Sequence, residues 1–324
     1  MIANDFRQWI IGVTQLTKRQ KLRFLEELEQ DSEPIIRMPG VIKNAHCERC
    51  PHCNHERLHK DGHASGLQRW RCTKCGKSFN ALTNTPLARL RHREKWAKNA
   101  EAMSAGLPVR KTAKICDVHP NTSFRWRHRF LDYHRSAQYA NLTGIAECDT
   151  TYFRHSEKGS KTLKREPRKR GKSPAKSGRN RQLVAILTLR SRAGKGADRL
   201  AIGKQRSAAE DLFKLHLRAD TLLITDGDHE LCNAAKARNI VTHLALPGSE
   251  SRGVKGSPFH LQVSNAFHSS LKTWMARFNG VATKYLENYV GWHRHLSEGS
   301  YIDEESFIRL SFSPLDTNPE LMMT

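Results

Sequence analysis

Asp149 and Asp226 stand where an acid is costly. Asp149 lies in Ile145-Ala-Glu-Cys-Asp-Thr-Thr-Tyr-Phe153, an otherwise strand-like run, and Asp226 follows the apolar Thr221-Leu-Leu-Ile-Thr225. A carboxylate inside an apolar strand is expensive without a partner. Two carboxylates held together repel unless a cation lies between them. Hard oxygen donors suit Mg²⁺, which takes one or two carboxylates and keeps water or phosphate oxygens. Two such ions about 4 Å apart activate an attacking oxygen and stabilise the leaving one in a displacement at phosphorus. Taken singly, Asp149 reads as a strand-end cap and Asp226-Gly227 as a common turn. The pairing points to a metal.

Asp228, two residues on, is an alternative to Asp226, and Glu147 supports the site because strand alternation puts it on the face of Asp149. A third ligand is expected from a late helix. Residues 251–286 contain no Asp or Glu. Asn265 and His268, three apart and so on one helix face, are the candidates, with Lys272 a further turn along to hold phosphate. The Asn265 carbonyl oxygen suits a hard cation and is preferred. His268, the alternative, suits Zn²⁺ or Mn²⁺ better.

A second constellation is Cys50, Cys53, Cys72 and Cys75, two C-x2-C pairs separated by eighteen residues. Each pair places two thiolates on one side of a tight knuckle, and two knuckles supply a closed tetrahedral Zn²⁺ site. Cys47 reads as a spare thiol.

The elements that must position these groups fall into five segments. Residues 1–40 read as a helical lead-in, with Leu22, Leu25 and Leu28 on one face. Residues 41–82 hold the four cysteines. Residues 87–136 read as helical. Within them Val109–Cys116 and Asn121–Leu131 form a pair with the spacing of a helix-turn-helix. Asn121 is the expected N-cap, and Ala113, Ile115, Val118 and Phe124 the expected core, with Trp126 also inside. Thr122, Ser123, Arg125, Arg127 and Arg129 would form the polar face of the second helix, the position from which side chains reach base edges in DNA. From 143 to 300 the order is three strands, helix, strand, helix, strand and two helices, an α/β pattern of the ribonuclease-H-like kind. Residues 301–324 form a tail.

The formal net charge is +23 over 324 residues. It is concentrated: Lys43–Arg129 carries 19 Lys/Arg against 6 Asp/Glu, and Arg154–Arg181 carries 12 against 2. A single-sign excess of this size repels itself unless a polyanion relieves it, so double-stranded DNA is the expected partner. The second stretch, with Lys169 and Arg170 at its middle, is expected to be a basic loop that clamps a DNA backbone. The N-terminus lacks a signal-peptide pattern and no apolar run nears the roughly 20 residues that span a bilayer. The eight cysteines then read as reduced and the protein as cytoplasmic and nucleoid-associated.

With these residues in hand the chain resembles the DDE-superfamily transposases of bacterial insertion sequences, most closely the group with a zinc ribbon and an ISXO-type catalytic domain. The resemblance rests on Cys50-Pro-His-Cys53, Arg69-Trp-Arg-Cys72-Thr-Lys-Cys75-Gly-Lys-Ser-Phe79, Glu147-Cys-Asp149, Thr225-Asp226-Gly227 and Val263-Ser-Asn265-Ala-Phe-His268-Ser-Ser-Leu-Lys272. It also rests on Asn279-Gly-Val-Ala-Thr-Lys-Tyr-Leu-Glu-Asn-Tyr-Val-Gly-Trp292, and it covers nearly the whole chain. It implies Mg²⁺- or Mn²⁺-dependent cleavage at the ends of a mobile element, strand transfer to target DNA, and assembly as a homodimer or higher oligomer. By resemblance Asp149 and Asp226 take the two Asp positions, and Asn265 falls where many members carry Glu. The alternative is a catalytically inactive, domesticated DNA-binding regulator derived from such an enzyme.

Overall fold

The computed structural model describes residues 17, 47–163, 183–240, 242–246, 257–299, 307 and 311. The lead-in, apart from residue 17, lies outside these residues. So does most of the basic stretch, Lys169 and Arg170 included, and most of the tail.

The first unit is a three-stranded antiparallel sheet of β1 (Leu58–Ala64), β2 (Leu67–Cys72) and β3 (Ser78–Phe79), in that spatial order. Four helices follow: α1 (Trp96–Ser104), α2 (Val109–Ile115), α3 (Pro120–Phe130) and α4 (Asp132–Ser136). The α/β region then runs β4 (Ile145–Arg154), β5 (Leu183–Ser191), β6 (Gly196–Ala201), α5 (Gln205–His216), β7 (Leu222–Thr225), α6 (His229–Ala237), β8 (His243–Ala245), α7 (Gln262–Ala276) and α8 (Leu286–Ser297). This is the element order expected from the sequence.

The five strands pair as β6-β5-β4-β7-β8. β4, β5 and β6 form an antiparallel meander, while β7 and β8 join β4 in parallel register. The sheet is therefore mixed, and β4 lies at its centre. Alternation along β4 divides its side chains between two faces. Ala146 and Cys148 pack with Leu187, Leu189, Phe213 and Leu231, under α5 and α6. Glu147 and Asp149 point the other way, toward α7.

On that second face one core joins helical region and sheet. Trp96, Trp126 and Phe130 share it with Ile186, Leu271 and Trp292. Phe307, fully buried, stacks on Phe130 and His134. Gly291 permits a close approach of α8 to α4, because a Cβ there would lie 2.6 Å from the His134 carbonyl oxygen. An ionic cluster sits beside it: Asp198 meets Arg190 at 2.5 Å and Arg294 at 2.7 Å, all three buried. The two arginines hold the Asp198 carboxyl below its ordinary value against the opposing effect of burial, which is the larger single influence.

Four expectations about the helix pair are corrected. The N-cap of α3 is His119, whose Nδ1 accepts from the Asn121 N–H, rather than Asn121. Ser123 is buried and donates to the Val109 carbonyl. Arg127 is buried, donates to the Leu107 carbonyl and Thr112 Oγ1, and lies over the Trp292 and Phe278 rings. Neither of the two reaches solvent. Ile115 and Phe124, expected in the core, are 48% and 39% exposed. The buried stripe of α3 is Ser123, Trp126, Arg127 and Phe130, the i, i+3, i+4, i+7 spacing of one helix face. Trp126 is in the core as expected.

Candidate active site and metal centre

β4 and β7 run in parallel with Cys148 opposite Thr225. The next residues along are Asp149, still within β4, and Asp226, just past the end of β7, so the two acids follow the last paired residues of strands that lie about 4.8 Å apart. Cys148, fully buried one residue before Asp149, has its thiol pushed well up by burial first and then by the charges of Asp149 and Asp226.

Three neighbours hold Asp149. Opposite it on β5 is Thr188, whose hydroxyl donates toward the Asp149 carbonyl at 3.3 Å. His268 Nδ1 lies 3.4 Å from Asp149 Oδ2, and His268 Nε2 lies 2.7 Å from Thr188 Oγ1. Asp149 Oδ1 also accepts from the Thr150 N–H. Both nitrogens of His268 are therefore engaged by protein groups. The side chain bridges the Asp149 carboxylate and the Thr188 hydroxyl. Sequence reasoning put Asn265 and His268 on one face but gave no signal for Thr188.

Asp226 lies at the end of β7, where Gly227 takes φ +80°, a conformation open to glycine. Asp226 Oδ1 accepts from the Asp228 N–H. Asp228 in turn caps α6, accepting from the Glu230 N–H, and its other oxygen is 3.3 Å from Gln205 Nε2. Gln205 also donates to Thr150 Oγ1, tying α5 to β4. Asp228 is thus a helix cap in position and partners.

Glu147, expected as a supporting acid, is fully buried and receives the Val263 and Ser264 N–H groups on Oε2. Its Oε1 faces His260 Nδ1 at 3.2 Å and Arg192 Nε at 3.6 Å. A carboxylate on exposed N–H groups is the stabilising arrangement for a helix N-terminus. Glu147 therefore docks the start of α7 on β4. From Glu147 to Asp149 the strand advances roughly 6.6 Å. From Ser264 to His268 the helix advances about 6 Å. The two contacts stay in step, and half-buried Asn265 falls between them on α7. Lys272 is exposed one turn beyond His268.

The metal centre is more compact. Cys50 Sγ lies 3.7 Å from Cys75 Sγ and Cys53 Sγ lies 3.5 Å from Cys72 Sγ, and all four sulfurs fall within 4.8 Å of one another. Tetrahedral Zn²⁺ with bonds of about 2.3 Å needs sulfurs about 3.8 Å apart, so the donor set fits zinc. Among the described residues this is the one group of three or more His, Cys, Asp or Glu side chains gathered so closely. Crowding splits the thiols. Burial alone would raise Cys72, but the Cys75 and Lys74 N–H groups and the neighbouring thiols bring it to about 7. Cys53, although the His55 N–H favours its thiolate, is pushed up to about 12 by burial and the other three sulfurs. Cys47 stands outside the cluster and packs against it.

Of the expected DNA-contact residues, Arg125 is exposed and Thr122 half-buried on α3. Arg129 is half-buried and donates to the Pro86 and Ala88 carbonyls. None of the described helices is long and apolar enough to cross a membrane. No family model, curated protein or solved structure matches the chain.

Proposed function

We propose that this chain is a DNA transposase of the DDE type, in which Asn265 occupies the third acidic position. The observation that carries the reading is that Asp149 and Asp226 each directly follow the last paired residues, Cys148 and Thr225, of two adjacent parallel strands. The strand order, with a central β4 flanked by an antiparallel meander and two parallel strands, supports a ribonuclease-H-like catalytic domain. The four-cysteine sheet supports a structural zinc ribbon, and the charge of +23 supports double-stranded DNA as partner.

In this reading Asp149, Asp226 and the Asn265 side-chain oxygen form a donor set of hard oxygens, suited to Mg²⁺ or Mn²⁺. Such an ion, when bound, supplies charge neutralisation at the scissile phosphate. His268 and Thr188 fix the Asp149 carboxylate. Glu147 fixes α7 and with it Asn265. Lys272 and Arg125 bind phosphates, and the basic stretch around Lys169 and Arg170 grips the backbone beyond. Assembly as a homodimer on paired element ends follows from the need to process two ends.

The test is a supercoiled plasmid carrying the DNA that flanks the gene, incubated with zinc-loaded protein and Mg²⁺. Nicking and joining that vanish in Asp149→Asn and in Asp226→Asn support the enzyme. Tight binding without nicking by the wild type supports the alternative, a non-catalytic regulator.

A further inference from the structure

A groove of about 660 Å³ opens between α3 and the turn that leads into α8. Its walls are Phe124, Arg125 and His128 from α3 and Lys284 and Tyr285 from the turn. Phe124 is the one aromatic among the exposed large apolar side chains of the described residues. Its ring is held edge-on by His128 at 4.5 Å and by Tyr285 at 5.4 Å, and those two rings stack at 3.8 Å. Burial first, then Arg127 and Lys284, lowers His128 to about 4, so the stacked pair is uncharged at neutral pH. Lys284 Nζ sits 4.9 Å from the Tyr285 ring centre. Arg125 and Lys284 enter no ion pair among the described residues, whereas Arg135 at the far end meets Asp132 at 3.6 Å.

An exposed ring fixed in place beside two unneutralised cations has a definite chemistry. The ring offers a face to any nucleobase and the cations take the flanking phosphates. A duplex hides its base faces, so only an unpaired strand uses both features. A second groove of about 710 Å³, lined by Arg89, Arg91 and Arg93, shares Arg129 with the first. A strand leaving the ring therefore continues onto a cationic track.

We propose that the groove between α3 and α8 binds single-stranded DNA, with an unpaired base stacked on Phe124, walled by Tyr285, and its phosphates held by Arg125 and Lys284. That the strand is DNA rests on the transposase reading; that it is single-stranded rests on the groove.

The experiment is fluorescence anisotropy of the full zinc-loaded chain with labelled oligothymidylate of about 15 nucleotides and with a duplex of equal length. Phe124→Ala is expected to weaken oligothymidylate binding about tenfold or more and duplex binding less than about threefold. Phe124→Trp, which keeps a stacking face, is expected to bind within about threefold of wild type, and thermal unfolding checks that both variants fold. Equal binding by Phe124→Ala and wild type, or an equal loss on both DNAs, overturns the proposal. Displacement of the oligonucleotide by polyglutamate of matched charge also overturns it, in favour of an acidic peptide. Oligouridylate bound about tenfold tighter overturns the choice of DNA. A wild type that nicks no plasmid yet shows Phe124-dependent binding refutes the enzyme and leaves this site standing. A wild type that nicks, with binding indifferent to Phe124, refutes the site alone.

Discussion

His268 links Asp149 to Thr188: its Nδ1 is 3.4 Å from the Asp149 carboxylate and its Nε2 is 2.7 Å from the Thr188 hydroxyl. A group that orients a metal-binding carboxylate is worth about 10- to 100-fold in metal affinity or activity. His268→Ala is therefore expected to lower nicking by that factor, and Thr188→Val by less. A titration with Mn²⁺ in place of Mg²⁺ separates the roles. An orienting residue leaves the metal preference unchanged, whereas a ligand shifts it.

Arg125 and Arg127 are two residues apart on α3 and face opposite ways. Arg127→Ala removes a buried side chain and leaves the Leu107 carbonyl and Thr112 hydroxyl without their donor, at a cost of about 2–4 kcal/mol in unfolding free energy. The salt dependence of duplex affinity is expected to be unchanged. Arg125→Ala should alter stability by less than about 0.5 kcal/mol and reduce the salt slope by about 0.9. Urea unfolding and anisotropy at several salt concentrations measure both. A slope reduced equally by the two variants contradicts the burial of Arg127.

The contrast shows what was legible in the sequence. The strand expected over Ile145–Phe153 starts at Ile145 and ends one residue further on, at Arg154. The stripe of α3 differs from the expected one because Phe124 has the chemistry of a core residue while Ser123 and Arg127 have that of surface residues. Arg127 is buried only because Trp292 and Phe278, more than 150 positions away in the sequence, receive it. No local pattern carries that information. The same holds for Asp198, which looks misplaced inside β6 until Arg190 and Arg294 close on it. An acid in an otherwise apolar strand is costly wherever it lies, which is what singles out Asp149 from the sequence alone. The capping role of Glu147 and the clasp on Asp149 needed the docking of α7.

Loss of zinc should be local. Cys72→Ser is expected to reduce bound zinc from about one per chain to about zero and to make β1–β3 sensitive to protease, since such small sheets fold on their metal. The mixed sheet has its own core, so most of the helical signal in circular dichroism should survive. Loss of that signal together with the metal contradicts independent stabilisation.

Acid should destabilise the fold well above the pH at which carboxylates titrate. Burial lowers His134 to about 3, His128 and His293 to about 4, and His295 well below 6.5. The unfolded chain binds these protons first, so the contribution is present above about pH 6.5 and is lost as pH falls toward 4. Glu298 works the other way. Burial raises it from 4.5 to about 7, so its contribution is lost as pH rises through 7. With four histidines against one glutamate, the urea midpoint is expected to be lower at pH 5 than at pH 7.5. Glu298→Gln should steepen that difference. A midpoint independent of pH contradicts the burial of these rings.

Mn²⁺ binding to the zinc-loaded chain, followed by electron paramagnetic resonance, asks whether Asp149 and Asp226 hold one divalent ion between them. Asp149→Asn and Asp226→Asn should each weaken binding about tenfold or more, and the double variant should be little worse than the weaker single one, as expected of residues acting as a unit. Binding by Asp226→Asn equal to that of wild type, or losses that simply add, would show that the two carboxylates do not share an ion.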